Sequence, residues 1–109
     1  MKVFHYEGHL HTSGLLDVRD VTDEVARAVR ESGVDDGIAC VYSPHTGCRF
    51  EVVDGDARGT VAALSRARPA SGVLTVRDGE IVAGPTRRIR LVELAGESDR
   101  SWLLEVVGS

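Results

Sequence analysis

Phe4-His5-Tyr6-Glu7-Gly8-His9-Leu10-His11, near the start of the 109-residue chain, alternates between two characters. Phe4, Tyr6 and Leu10 fall on one face, and His5, Glu7, His9 and His11 fall on the other. A period of two belongs to an extended strand with one face on a core and one in water. Leu15, Leu16 and Val18 follow a turn at Thr12-Ser13-Gly14, so the two runs read as a hairpin. A helix is expected next. Thr22 is its predicted N-cap, because a hydroxyl there accepts a bond from an unpaired amide of the first turn. Asp23 and Glu24 favour the positive end of the helix dipole. Val21, Val25, Ala28 and Val29 recur at helical spacing toward a core, Arg27, Arg30 and Glu31 face water, and Gly33 is the natural stop.

Beyond Gly37, Ile38-Ala39-Cys40-Val41-Tyr42 is a near-continuous apolar run, as expected of a strand buried on both faces. Ser43-Pro44-His45-Thr46-Gly47 breaks it, Phe50-Glu51-Val52-Val53 resumes as a strand, and residues 57–68 carry Val61 and Leu64 inward as a second helix ended by Pro69. A meander follows. Val73-Leu74-Thr75-Val76 and Ile81-Val82-Ala83 flank Asp78-Gly79, a pair suited to a tight hairpin turn. Further strands run from Ile89 to Leu94 and from Trp102 to Val107. Strands dominate and two main helices are inserted early, so the expected class is α+β with a largely antiparallel sheet. Residues 1–109 read as a single domain, since a second core would be too small to be stable.

Composition narrows the function classes. The 13 Lys and Arg against 17 Asp and Glu leave a net charge of −4, which argues against general nucleic-acid binding. No apolar run approaches the ~20 residues needed to span a bilayer. The first residues hold no apolar core of a signal peptide, so a cytoplasmic domain with no membrane partner is expected. Cys40 and Cys48 lack the spacing of a zinc motif or a disulfide framework, and read as reduced, buried thiols.

Several residues carry candidate chemistry. His45 ends the central apolar run beside Thr46 and Gly47, where a close backbone approach and a hydroxyl suit a small phosphate. Its imidazole suits acid, base or donor work, against the plainer reading of a hydrogen-bonded turn histidine. A Cys48–His45 nucleophilic pair is a weaker reading, because residues three apart on an extended segment face opposite ways. The stripe His5, Glu7, His9, His11 offers metal-ligand spacing but no third and fourth ligand, and a solvated strand face explains it equally well. Arg87, after the bend Gly84-Pro85-Thr86, is a candidate anion clamp. Arg88 and Arg90 share the other strand face and read as exposed charges that blunt edge aggregation.

The order Asp17…Val21-Thr22, Ser32-Gly33…Gly37, then His45-Thr46-Gly47-Cys48 resembles the YjbQ-like family, the secondary thiamine-phosphate synthases. Asp78-Gly79-Glu80-Ile81-Val82-Ala83-Gly84-Pro85-Thr86-Arg87-Arg88-Ile89 is similar to that family's Gly-Thr-Trp-Gln signature, and Leu91-Val92-Glu93-Leu94 to its closing strands. The likeness spans residues 3–54 and 73–108. This chain departs from the pattern in lacking a histidine-bearing segment after the second helix. Gly47 replaces a Thr, Thr86 and Arg87 replace Trp and Gln, and Asp54 stands where the family has Glu.

The resemblance implies an antiparallel α+β fold and a homotrimer with pockets near subunit boundaries. It implies a small phosphate-bearing ligand held by His45, Thr46, Gly47, Gly84 and Arg87, with His45 and Asp54 as the candidate catalytic residues. The family reaction it implies is a weak coupling of a pyrimidine diphosphate to a thiazole phosphate. The residues call for no cofactor. The family pattern admits a divalent metal, and the missing histidines count against it. A non-catalytic trimeric module for ligand sensing or assembly, with a degenerate site, is the rival expectation.

Overall fold

The computed structural model describes residues 1–54, 71–82 and 87–109. Two antiparallel sheets share one core. Sheet A contains β1 (Lys2–Thr12), β3 (Gly37–Tyr42), β5 (Ser71–Arg77), β6 (Glu80–Ile81) and β8 (Ser98–Gly108), in the order β1-β8-β3-β5-β6. Sheet B contains β2 (Val18–Asp20), β4 (Cys48–Asp54) and β7 (Arg87–Glu93), in the order β2-β7-β4. The described residues form one helix, α1 (Thr22–Glu31). The second helix expected over residues 57–68 lies outside the described residues, as do Gly84 and its bend.

The core is filled by Ala39, Val41, Trp102 and Leu104 from sheet A, Phe50, Ile89 and Leu91 from sheet B, and Val25, Ala28 and Val29 from α1. Each fully buried aliphatic or aromatic side chain of this size contributes about 1.5–3 kcal/mol through apolar surface removed from water. Trp102 is at the centre, 6.0 Å from Phe50 in an edge-on contact and 5.7 Å from Tyr6. Gly8 lies across from Trp102 in the β1–β8 ladder, and a Cβ there would overlap the indole.

β1 alternates as its sequence predicts, with Phe4, Tyr6 and Leu10 packed on the core. Its partner differs from the expectation. β1 pairs with the C-terminal β8 from Lys2↔Gly108 to Thr12↔Ser98, whereas β2 joins the other sheet through Val18↔Val92. The turn explains the parting. Gly14 has φ 155° and Leu16 has φ 65°, and the Asp17 carboxylate accepts bonds from the Ser13 amide and hydroxyl. The chain therefore leaves sheet A instead of folding back on β1, and Leu15 and Leu16 are exposed.

α1 starts one residue earlier than expected: Thr22 is its first helical residue, and the N-cap is Val21, which makes no side-chain capping bond. The Asp20 carboxylate accepts the Thr22 amide at 2.9 Å, while Thr22 Oγ1 accepts the Ile89 amide of β7 at 2.7 Å. Thr22 thus ties the helix to sheet B. Ser32 Oγ closes the other end on the Val29 carbonyl, and Gly33 follows with φ 74°.

β3 corrects a second expectation. Ala39 and Val41 are buried, but Ile38 and Tyr42 are exposed. The run is apolar on both faces, yet only one of them is covered by the described residues. The Asp78-Gly79 hairpin forms between β5 and β6 with φ 53° and 77°. No helix among the described residues is long and apolar enough to cross a membrane.

Candidate functional site

His45 is positioned by the way β3 ends. The β3–β8 ladder stops at Tyr42↔Leu103, and Pro44 has no amide to continue it. Two residues earlier on β8, the Ser101 amide donates to His45 Nε2 at 3.2 Å, so the imidazole stands in for the missing strand acceptor. Ser101 Oγ is 3.3 Å from the same nitrogen. An Nε2 that accepts a backbone N–H places the ring proton of the neutral form on Nδ1. His45 therefore has a structural bond on one nitrogen and a donor on the other.

The rest of the turn is held by Arg49. Its Nη1 donates to the carbonyls of His45, Thr46 and Cys48 at 3.3, 2.9 and 3.0 Å. Thr46 itself is exposed. Cys48 is fully buried with its sulfur 2.9 Å from Ser43 Oγ, while His45 Nε2 is directed to Ser101. The geometry does not assemble the Cys48–His45 pair considered from sequence.

Gly47 has a specific steric role. A Cβ there would overlap Arg100 Nη2, so the missing side chain admits the guanidinium. Arg100 binds Glu93 through Nε to Oε1 at 2.8 Å and Nη2 to Oε2 at 2.7 Å. Thr12 Oγ1 and the Ala95 amide also donate to Glu93, at 2.7 and 3.0 Å. The Arg100 guanidinium, aided by these bonds, lowers the Glu93 carboxyl to a pKa of about 2 against the desolvation of a fully buried side chain. This cluster joins the ends of β1, β7 and β8 to the His45 turn.

The other candidate residues lie elsewhere. Asp54 pairs with Arg87 at the far end of the β4–β7 ladder, whose near end is Cys48↔Glu93. Six strand steps separate those ends, roughly 20 Å. Within one chain the structure brings Asp54 and Arg87 together in register, and keeps them apart from His45, Thr46 and Gly47. Gly84 is outside the described residues. Arg88 and Arg90 are not the exposed pair expected from sequence. Arg90 is buried, opposite both Asp20 and Glu51. Arg88 Nε bonds Asp20 at 2.7 Å. Burial pushes the Asp20 carboxyl up, but the bonds from Arg88 and Thr22 outweigh it and hold the group below its usual value.

The histidine stripe is exposed and lined with acids. His5 Nε2 is 2.9 Å from Glu105, His9 Nε2 is 3.7 Å from Glu7, and His11 is 2.7 Å from Asp99 and 3.4 Å from Glu97. The bond to Asp99 is the main cause of a raised His11 pKa. Among the described residues no three His, Cys, Asp or Glu side chains are placed to hold a metal ion. An open recess of about 460 Å³ is lined by Glu7, His9, His45, Asp99, Arg100 and Ser101. Sequence reasoning missed Ser101, Arg49 and Arg100 here. A charged residue inside the apolar run Leu91-Val92-Glu93-Leu94 was the one signal that a buried cation lay nearby.

A two-sheet antiparallel α+β architecture, with a histidine turn closing the central ladder, defines the class. Three solved structures share this architecture over nearly the whole chain. A YbjQ-like protein of unknown function from Sulfolobus solfataricus P2 has a TM-score of 0.88 at 25% identity, covering 99% of both chains. An uncharacterized conserved protein of the YjbQ family from Clostridium acetobutylicum has a TM-score of 0.84 at 24% identity, covering 94% of this chain and 99% of that one. A hypothetical protein from Aeropyrum pernix K1 has a TM-score of 0.84 at 22% identity, covering 97% and 99%. No family model matches the sequence, and no curated protein matches it. The chain has the fold of these YjbQ-like proteins.

Proposed function

We propose that the chain binds a small phosphate-bearing molecule at the His45 turn. The observation that carries this reading is the orientation of His45. Its Nε2 is occupied by the Ser101 amide, which leaves Nδ1–H as a donor on a turn that also presents the Thr46 hydroxyl and the Arg49 cation. Arg49 supplies the positive charge at this turn, the role that sequence assigned to Arg87. Any coupling of a pyrimidine diphosphate to a thiazole phosphate would be a weak activity of the same site. Asp54 and Arg87 would join it only across a subunit boundary of a homotrimer.

A specific observation favours a second reading, a non-catalytic trimeric module for ligand sensing or assembly. Glu7 and Asp99 line the recess beside His45, and the Arg100 charge is spent on Glu93, so the recess itself opposes an anion. Isothermal titration with inorganic phosphate and diphosphate decides between them. The first reading expects binding that is lost in His45→Ala and weakened in Arg49→Ala. Absence of heat with either anion sinks it and leaves the module. Light scattering that returns a monomer at micromolar concentration removes the trimer from both.

A further inference from the structure

Apart from Met1 and Val82, the large apolar side chains left exposed among the described residues fall into two groups. Leu15 and Leu16, 64% and 47% exposed, stand on the turn between β1 and β2. Val3, Ile38, Tyr42, Val73 and Leu103 lie on the outer face of sheet A, where Val73 is paired with Cys40 and Leu103 with Tyr42. The turn holds its leucines rigidly. The Leu16 amide donates to the Glu93 carbonyl at 2.8 Å, and the Glu93 amide donates to the Asp17 carbonyl at 2.9 Å, so sheet B anchors the turn on both sides. Leu16 takes φ 65°, a left-handed conformation in which its Cβ crowds the following carbonyl. A strained, rigid turn that shows two leucines to water is unfavourable in an isolated chain, and it is already in place for a partner that covers them.

The outer face of sheet A offers that cover. A recess of about 410 Å³ opens there, with His5, Cys40, Tyr42, Leu103 and Glu105 among its lining residues. A cavity of about 150 Å³ already admits a benzene-sized body, so this one has room for two leucyl side chains. His5 Nε2 and Glu105 Oε2 pair at 2.9 Å, so the recess presents its charges already matched. The seven residues of the two groups, at about 100 Å² apiece, supply roughly 700 Å² of apolar surface. At the usual apolar share of about 60%, that makes an interface of roughly 1,200 Å², the size at which specific interfaces begin. A ring of identical copies is built from contacts in which two different patches of each chain meet. We propose that Leu15 and Leu16 of one copy dock in the sheet A recess of the next and close the ring. The inference rests on the homotrimer common to both functional readings and adds the surfaces that make it. Glu7, which lines the His45 recess, is the cross-strand neighbour of Leu103, so the docked copy also borders that recess.

Light scattering at micromolar concentration gives a trimer for wild type and a monomer for both Leu15→Ser/Leu16→Ser and Leu103→Glu. Each variant changes only exposed positions and raises the dissociation constant about a hundredfold. Cys40 supplies a second readout, because it lines the recess and is partly accessible, whereas Cys48 is fully buried. In Leu15→Cys, mild oxidation joins the introduced thiol to Cys40 of the next copy. Non-reducing gels then show linked dimers and trimers, which vanish when Cys40→Ser is added. A monomeric wild type removes the homotrimer and this inference with it. A trimer that survives Leu15→Ser/Leu16→Ser overturns the docking alone, and so does a failure of Leu15→Cys to cross-link. Dissociation by Leu103→Glu but not by the leucine changes also overturns it, because the sheet faces then pair with each other.

Discussion

The Glu93 carboxylate and the Arg100 guanidinium meet through two parallel bonds at the junction of the two sheets, with Glu93 fully buried and the Arg100 side chain 11% exposed. A carboxyl held at about 2 in the fold and near 4.5 when unfolded stabilises the protein fully above pH 4.5. That stability is lost as pH falls toward 2, and it amounts to about 3 kcal/mol. Urea unfolding at pH 7 and at pH 2.5 should show this loss in wild type and a much flatter response in Glu93→Gln. Equal slopes in the two proteins would remove the assignment.

Truncating Arg100 is the harsher change. Arg100→Ala leaves a buried carboxylate with no cation, and a broken buried pair costs roughly 3–5 kcal/mol. Chemical denaturation of Arg100→Ala against wild type measures it, and a cost under about 1 kcal/mol would mean that the pair is dispensable.

Gly47→Ala should act through the same pair. The new methyl overlaps the place of Arg100 Nη2, so the guanidinium has to shift, at a cost of about 1–3 kcal/mol. In Arg100→Ala the methyl has room, and the cost of Gly47→Ala should shrink sharply. A double-mutant cycle tests this, and strict additivity would contradict it.

Thr22→Val removes the acceptor of the Ile89 amide at the joint between α1 and sheet B. A buried N–H left without a partner costs about 1–3 kcal/mol, while Thr22→Ser keeps the oxygen and most of the stability. Melting curves that place the valine and serine variants together would contradict this role.

Local pattern was readable and long-range pairing was not. The alternation of Phe4, Tyr6 and Leu10, the helical spacing of Val25, Ala28 and Val29, and the Asp78-Gly79 turn all report on neighbours within a few residues, and each formed as written. The choice of β8 over β2 as partner for β1 joins residues about a hundred positions apart, and no short-range signal encodes it. Ile38 and Tyr42 look buried because hydropathy does not say whether a face is covered. At the candidate site, His45 was visible as a titratable residue at a strand end. Its bond to Ser101 was hidden because it depends on where β8 runs. Arg87 was joined to His45 by the resemblance, and within one chain the antiparallel register of β4 and β7 puts it at the opposite end of that ladder.

Because an imidazole completes the ladder at Ser101, one backbone amide reports on one ring. Hydrogen exchange at that amide stays slow while Nε2 keeps its lone pair for it. A ligand that pulls the ring off Ser101 releases the amide to solvent, whereas one held by Nδ1–H leaves it protected, so a single peak in an exchange spectrum tells the two kinds of occupancy apart without any label, substrate or assay of turnover.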